Sequence, residues 1–317
     1  MKMLFTAAAI ASASLLSAGE TKLTAVPDAV KGTVTVKAGD EVFTTLHYKN
    51  FAKPILHPIN LPGAGNLVRE WPVAAAARNE EQDHPHHKGL WFTHGAVNGV
   101  DFWKEAADAG KIIVTGEPAI SGGDGKPVTL TTSENWVAPD GKKVCTSSTT
   151  ITCGTESDAR FIDYTITISA SEGGVTFGDT KEGTMGIRSH PALNLKGKVA
   201  AGKAVNSEGL KDGAIWGKPA RWVDYSAPVG GKTVGIACFD HPSNLRHPTT
   251  WHARDYGLIA ANPFGLHDFD KKNPKGTGDL VIKKGESLTL KYRWLFHAGD
   301  TEGARIEERY KIWAASK

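Results

Sequence analysis

Alternation between apolar and polar residues constrains the fold of this chain more than any other feature. In residues 159–169 every second residue is apolar or has a large side chain, and residues 286–297 repeat that pattern. Side chains of a β-strand point alternately to its two faces, so a period of two predicts strands with one buried face. Six further runs have strand-like composition: GTVTV, EVFTTLHY, KIIVTG, PVTLTT, GVTF and TVGIACF. Many short strands separated by Gly-, Pro- and Asp-containing turns predict an all-β antiparallel sandwich or barrel.

The final segment has a different period. Ile306, Tyr310 and Trp313 follow the spacing i, i+4, i+7, which predicts a short C-terminal helix whose apolar stripe packs on the sandwich. No repeat or linker divides the chain, and a β-sandwich of this length fits one domain. We therefore expect a single domain over residues 20–317.

Residues 1–19 are typical of a secretory signal peptide. Lys2 precedes an apolar run over residues 4–16, and the small residues Ser17, Ala18 and Gly19 follow. The run is shorter than the ~18 apolar residues that a membrane span needs, and no later stretch reaches that length. We predict a periplasmic or secreted protein. The net charge of +3, without a basic stripe, argues against a nucleic-acid partner.

Histidine carries the functional signal, because eight of the twelve histidines fall within residues 84–94 and 241–267. In the first window, DHPHHKGLWFTHG, an extended backbone would place His84 and His86 on one side and His87 on the other. Three interpretations stay open. His86 or His87 acts in catalysis or sugar binding, His84 and His86 bind a divalent metal, or the segment is a polar loop whose histidines bond to backbone.

A second cluster is KEGTMGIRSHPALNL, residues 181–195, where Glu182, Arg188 and His190 would share one face of an extended strand. One interpretation is a structural ion pair between Glu182 and Arg188. The other makes Glu182 an acid or base, Arg188 a clamp for hydroxyl or carboxylate groups, and His190 a proton donor.

The third cluster, FDHPSNLRHPTTWHARDYGLIAANPFG, is broken by prolines and resembles a loop and strand over a cleft. His252 and Arg254 would share a face, whereas Asp255 would point away and orient its neighbours. The cluster is either catalytic or a satisfied structural network. Tryptophans beside such polar groups suit sugar recognition, where a ring stacks on C–H faces. They are Trp71, Trp91, Trp103 and Trp251.

Three strings together resemble a bacterial family of uncharacterised secreted proteins known as PmoA-like. They are DHPHHKGLWFTHGAVNGVDFW, TKEGTMGIR and the third cluster above, and the likeness covers most of the mature chain. The family name implies a methane monooxygenase subunit. Such a membrane protein needs several apolar spans, and this chain has none after residue 19, so methane oxidation is excluded.

A second resemblance is to the galactose-mutarotase-like superfamily. SHPALNL is similar to the aldose-1-epimerase string built around HxYFNL, and KKGESLTLKYRWLFHAGD is similar to the last strands of these proteins. The resemblance implies an antiparallel β-supersandwich with His190 as general acid. Where those enzymes carry a late catalytic glutamate, YGLIAANPFG offers Asn262. A simple epimerase would therefore lack its base.

We expect an exported carbohydrate-active enzyme that acts at or next to the anomeric carbon, as a lyase or hydrolase of oxidised (3-keto) glycosides. The alternatives are an aldose-1-epimerase-like epimerase, a non-catalytic glycan-binding module, and an oxidoreductase with a divalent metal on His84 and His86. The candidate catalytic residues are His86, His87, Glu182, His190 and His252. The candidate substrate-binding residues are Trp91, Trp103, Arg188, Arg254, Asp255 and Asn262.

Overall fold

The computed structural model describes residues 21–316, so the predicted signal peptide lies outside the described residues. The described chain consists mainly of β-strands. They are β1 (Leu23–Asp28), β2 (Thr33–Ala38), β3 (Glu41–His47), β4 (Ile55–Leu61), β5 (Gly65–Asn66), β6 (Leu90–His94), β7 (Lys111–Val114), β8 (Ala119–Gly123), β9 (Lys126–Val137), β10 (Lys143–Glu156), β11 (Ala159–Ser169), β12 (Val175–Phe177), β13 (Gly183–Arg188), β14 (Lys203–Asn206), β15 (Trp222–Val229), β16 (Lys232–Asp240), β17 (Trp251–Ala253), β18 (Leu258–Ala261), β19 (Leu280–Ile282) and β20 (Ser287–Ala298).

Two nine-stranded sheets form the sandwich. The first has the order β1-β2-β3-β4-β6-β13-β18-β17, with β5 on β4, and the second has the order β14-β15-β16-β20-β11-β10-β9-β7, with β8 on β9. Strands β12 and β19 form a separate two-stranded ribbon. The ladders are antiparallel, as in β13 against β6 and β11 against β20. Side chains from both sheets bury one continuous apolar core, and the predicted antiparallel all-β sandwich is confirmed.

The period-two segments become the centre of the second sheet. Strands β11 and β20 pair so that Ile162 lies opposite Trp294 and Ile166 opposite Leu290, and these side chains are buried. Each of the six shorter runs contributes to a strand, namely β2, β3, β7, β9, β12 and β16. The alternation therefore located the strands because one face of each is removed from water.

Within residues 21–316 two α-helices accompany the sheets, α1 (Leu266–Phe269) and α2 (Ile306–Ala314). In α2 the predicted stripe of Ile306, Tyr310 and Trp313 is buried in a satellite core outside the second sheet. This confirms the predicted C-terminal helix. No helix within residues 21–316 is long and apolar enough to cross a membrane.

The first sheet presents a second, outward face near one end. Trp91 of β6 pairs with Gly186 of β13, Gly186 with Ala260 of β18, and Ala260 with His252 of β17. The residues that alternate with this row face the central core, and they include Phe92, Met185, Ile259 and Trp251. Alternation therefore points the row from Trp91 to His252 away from the sandwich core.

Candidate functional site

A cleft of about 470 Å³ opens on this outward face. Such a volume lies within the usual range for small-molecule sites. All three polar clusters of the sequence contribute to its walls. The lining residues are His84, His86, His87, Asp101, Trp103, Lys104, Lys181, Glu182, His252, Arg254 and Tyr256.

The first histidine cluster is a turn and not an extended strand. His84 has a φ of 45°, and the N–H of His87 donates to the His84 carbonyl at 3.0 Å. The turn brings the three imidazoles together, with ring centroids 4.9 Å apart for His84 and His87 and 4.5 Å apart for His86 and His87. The expectation that His87 points away from the other two is therefore wrong.

Four aromatic rings form a continuous stack from the sheet to the rim of the cleft. The indole of Trp91 lies over Gly186, where an added Cβ would be 3.1 Å from its Cζ2 atom. His87 stacks on Trp91 at 5.3 Å, His84 on His87 at 4.9 Å, and Tyr256 on His84 at 5.0 Å. Gly186 thus lets the indole lie close to the sheet, and a larger residue there would push against the base of this stack.

Arg188 connects the end of β13 to the histidine turn. Its Nη2 donates to Asp83 Oδ1 at 2.6 Å, and His84 Nδ1 donates to Asp83 Oδ2 at 2.6 Å. Burial raises the pKa of the Asp83 carboxyl, but the charges of Arg188 and His84 outweigh this and hold it below the ordinary value. The interpretation in which Glu182 pairs with Arg188 is wrong, because Glu182 pairs with Lys181 instead.

Burial keeps three of the cleft histidines neutral at neutral pH. Desolvation, followed by the charge of Lys53, lowers the pKa of His86 to about 4. Desolvation, followed by the charge of Lys181, lowers the pKa of His252 to about 3. The pKa of His87 is also well below its ordinary value, first because of burial and then because of neighbouring positive groups. At neutral pH each of these imidazoles therefore has one N–H that can donate a hydrogen bond and one nitrogen lone pair that can accept one.

Arg188 also decides which nitrogen of His87 carries the proton. Its Nη1 lies 3.3 Å from His87 Nδ1. A guanidinium can only donate, so Nδ1 accepts and the neutral ring carries its proton on Nε2. That Nε2 is buried and has no hydrogen-bond partner among residues 21–316. His87 is thereby prepared to donate a hydrogen bond.

Two tryptophans pack beside His87. Ring centroids are 5.4 Å apart for His87 and Trp103 and 5.6 Å apart for Trp91 and Trp103. The Nε1 atoms of both tryptophans are buried and, within the described part of the chain, also lack a partner. We call His87 Nε2, Trp91 Nε1 and Trp103 Nε1 the donor cluster. A buried donor without an acceptor costs about 1–3 kcal/mol.

A cluster of buried charged side chains contacts the donor cluster at Trp103. Lys53 Nζ donates to Glu105 Oε1 at 2.8 Å and to the Trp103 carbonyl at 3.3 Å, and Lys88 pairs with the other oxygen of Glu105. Two ammonium groups thus share one carboxylate. The excess positive charge opposes protonation of the neighbouring His86 and favours an anionic group in the cleft.

The two carboxylates that line the cleft have different roles. Asp101 Oδ1 accepts two backbone N–H groups of the loop that follows it, at 2.8 and 3.1 Å, and so holds that loop. Glu182 is half-buried at the rim beside Lys181. Arg254 lies over the Tyr256 ring at 5.4 Å and forms no ion pair within residues 21–316. Glu182 and Arg254 are the charged groups most available to a ligand.

Five predicted site residues do not line the cleft. Trp91 and Arg188 are buried behind its wall, and the other three are His190, Asp255 and Asn262. His190 Nδ1 accepts the N–H of Ala192 at 3.1 Å and caps a short 3-10 turn. Asn262 is fully buried, and its Oδ1 accepts two backbone N–H groups of the turn after β18. Asp255 is exposed beyond Arg254. Backbone hydrogen bonds occupy His190 Nδ1 and the amide of Asn262, so their assignment to the cleft is corrected.

The other histidines of the two windows are also outside the cleft. His94 lies in the core against Phe177, and His241 packs edge-on to Trp313 of α2. His247 donates to the buried Asp240 at 2.7 Å, and His267 Nδ1 donates to the Asn273 carbonyl at 2.6 Å. The two histidine-rich windows therefore contain both cleft residues and structural residues.

Sequence reasoning missed four lining residues: Asp101, Lys104, Lys181 and Tyr256. Each lies within two residues of a position that was singled out, so adjacency was the available signal. The predicted metal ligands His84 and His86 have ring centroids 5.8 Å apart. Among residues 21–316, no three His, Cys, Asp or Glu side chains are grouped to hold a metal ion. Metal dependence stays a prediction.

Sequence comparison identifies one family. The model of a family described as "Family of unknown function (DUF6807)" matches residues 33–311. No curated protein matches the sequence. The family description does not carry the PmoA-like name, and that resemblance stays a prediction.

Several solved structures are similar over most of this chain. A Glycoside Hydrolase Family 97 enzyme variant from Pseudoalteromonas sp. has 11% identity and a TM-score of 0.37, over 89% of this chain and 35% of its own. The galactosidase domain of an alpha-galactosidase-sucrose kinase has 10% identity and a TM-score of 0.40, over 87% and 42%. A galactose mutarotase related enzyme from Lactobacillus acidophilus has 8% identity and a TM-score of 0.31, over 87% and 97%. This chain thus spans less than half the length of the first two.

Proposed function

This chain belongs to the DUF6807 family of unknown function, and we propose that it is a carbohydrate-active enzyme that eliminates the aglycone from oxidised (3-keto) glycosides. In such a substrate the C3 carbonyl acidifies the C2 proton. The reaction then needs a neutral base near C2 and hydrogen-bond donors near the carbonyl oxygen. The predicted signal peptide would place this activity in the periplasm or outside the cell.

One observation carries the proposal: His87 and His252 line the same cleft, His87 as a hydrogen-bond donor and His252 as a proton acceptor. Arg188 holds His87 as a donor through Nε2. His252 Nδ1 is buried without a partner among the described residues, and desolvation keeps the ring neutral. The neutral His252 ring therefore supplies a lone pair, and the donor cluster supplies N–H groups.

In the proposed reaction, the neutral His252 imidazole takes the C2 proton and the electron pair moves onto the C3 oxygen. The donor cluster and the guanidinium of Arg254 stabilise this enolate oxygen. The carbonyl then re-forms, a C1–C2 double bond forms and the C1–O bond breaks. The departing aglycone oxygen takes up a proton at the rim, beside Lys181 and Glu182.

The carboxylates of the cleft favour this chemistry over glycoside hydrolysis. Hydrolysis generally uses two acidic side chains on either side of the scissile bond. Asp101 holds two backbone N–H groups with one oxygen, which leaves Glu182 as the lining carboxylate without such a structural role. Neutral histidines are more numerous than available carboxylates in this cleft.

Proton NMR in D2O tests the proposal directly. The mature protein is incubated with methyl 3-keto-β-glucoside and, separately, with methyl β-glucoside, and a tube without protein measures spontaneous exchange. We expect the C2 proton signal of the keto sugar to disappear and methanol to be released faster than without protein. Cleavage of the ordinary glucoside alone would indicate a hydrolase. No acceleration with either sugar would contradict the proposal and favour a glycan-binding module.

A further inference from the structure

A second recess of about 290 Å³ adjoins the cleft across Arg254. Arg254 lines both spaces, so they are neighbours. Gly213, Trp216, Ala253 and Asp255 complete the lining of the recess. An added Cβ at Gly213 would meet no atom within 4 Å, so the recess is open on that side.

Trp216 is held in a defined position relative to the cleft. It follows a 3-10 turn, Asp212–Ile215, whose last residue is fully buried. The N–H of Gly217 donates to the Trp251 carbonyl at 2.8 Å, which ties this segment to β17, the strand that carries His252. The Phe269 ring contacts both sides, with centroids 5.4 Å from Trp216 and 6.0 Å from His252. Phe269 therefore packs against a lining residue of the recess and a lining residue of the cleft.

The polar side chains of the recess form no hydrogen bond or ion pair within the described residues. Trp216 Nε1 is buried and lacks a partner within the described residues. Asp255 is exposed, and its carboxylate makes no ion pair or hydrogen bond to residues 21–316, and the same holds for the Arg254 guanidinium. An indole beside an unpaired carboxylate and an unpaired guanidinium can stack on a sugar ring and bind its hydroxyls.

We propose that this recess is a second sugar-binding subsite. A glycan of at least two sugar residues would place one ring in the cleft and the next beside Trp216, with Arg254 between them. The inference rests on the proposed function in one respect, that the cleft holds a sugar. It adds the class of substrate, a disaccharide or longer glycan in place of a simple glycoside.

Calorimetric titration of matched sugars tests the subsite. The probes are methyl β-glucoside with methyl β-cellobioside, and methyl α-glucoside with methyl α-maltoside. We expect one disaccharide to bind about tenfold more tightly than its monosaccharide, the gain that one aromatic contact provides. Trp216→Ala should remove that gain and leave monosaccharide affinity within about twofold. Ile312→Ala, on the exposed face of α2, is the control and should change neither affinity.

Two further variants separate binding from folding. Trp216→Phe keeps a ring against Phe269 and should retain most of the disaccharide preference. Asp255→Asn alters an exposed side chain without a structural partner, and it should weaken the binding of the disaccharide but not that of the monosaccharide. The subsite proposal would be overturned if Trp216→Ala lost affinity equally for the monosaccharide and the disaccharide. It would also be overturned if the wild-type protein preferred neither disaccharide over its monosaccharide.

The subsite and the proposed reaction can fail separately. A disaccharide preference that depends on Trp216, without C2 proton exchange, would support the subsite and refute the elimination. C2 proton exchange with equal affinity for matched mono- and disaccharides would refute the subsite and support the elimination.

Discussion

The Arg188 guanidinium donates to Nδ1 of His87 across 3.3 Å and thereby determines the proton position on a buried imidazole. The same guanidinium pairs with Asp83, so its orientation is held from two sides. One contact between distant parts of the chain thus converts an ambiguous histidine into a directional hydrogen-bond donor.

Replacement of His87 tests this donor role. We expect His87→Ala to slow C2 proton exchange of methyl 3-keto-β-glucoside by about 10²–10³, the usual loss when one donor to an oxyanion is removed. His87→Gln, whose amide can still donate, should recover part of the rate. Exchange is followed by NMR and the fold by circular dichroism. A folded His87→Ala variant with the wild-type rate would contradict the role.

His252 is the proposed base, and His252→Asn should reduce the same exchange rate by about 10²–10⁴, as expected for loss of a general base. The matched control is His241→Asn, because His241 lies against Trp313 of α2 and not in the cleft. Equal rates for the two variants would assign the base to another residue.

The pH dependence of stability follows from the neutral histidines. The pKa is about 3 for His252 and about 4 for His86, both below the ordinary value of 6.5. Between pH 6.5 and 4 the unfolded chain binds protons that the folded chain does not. The free energy of unfolding therefore falls as the pH decreases through this window and is fully retained above it.

One buried neutral histidine accounts for at most ~1.4 kcal/mol per pH unit. Urea denaturation at several pH values between 4 and 7 should therefore show a shallower decline for His252→Gln than for the wild-type protein. Parallel profiles would show that His252 is not held neutral by burial.

The packing of Trp91 on Gly186 gives a further prediction. Gly186→Ala places a Cβ 3.1 Å from the indole and should cost about 1–3 kcal/mol of stability as the ring shifts. Because His87 stacks on that indole, exchange activity should fall as well. Gly173→Ala is the control, since a Cβ there meets no atom within 4 Å. Denaturation and near-ultraviolet circular dichroism measure the effects, and identical behaviour of the two variants would refute the packing argument.

Much of the fold was predictable because the buried and exposed faces of a strand are determined by residues that are close together in the sequence. The alternating residues of β11 and β20 are buried as the pattern predicts, and Ile306, Tyr310 and Trp313 pack as a helical stripe. The cleft was less predictable. His86, Glu182 and His252 were expected to meet and do line one space, whereas His190 caps a turn outside it.

The sequence by itself determined the antiparallel sandwich, since apolar periodicity depends on neighbouring residues and survives any tertiary detail. It also identified the three segments that supply the cleft. Only the tertiary structure decided the chemistry of each histidine, because a pKa and a tautomer depend on burial and on distant partners. The partner of His87, Arg188, is 101 residues away, and the row from Trp91 to His252 exists only after four strands pair.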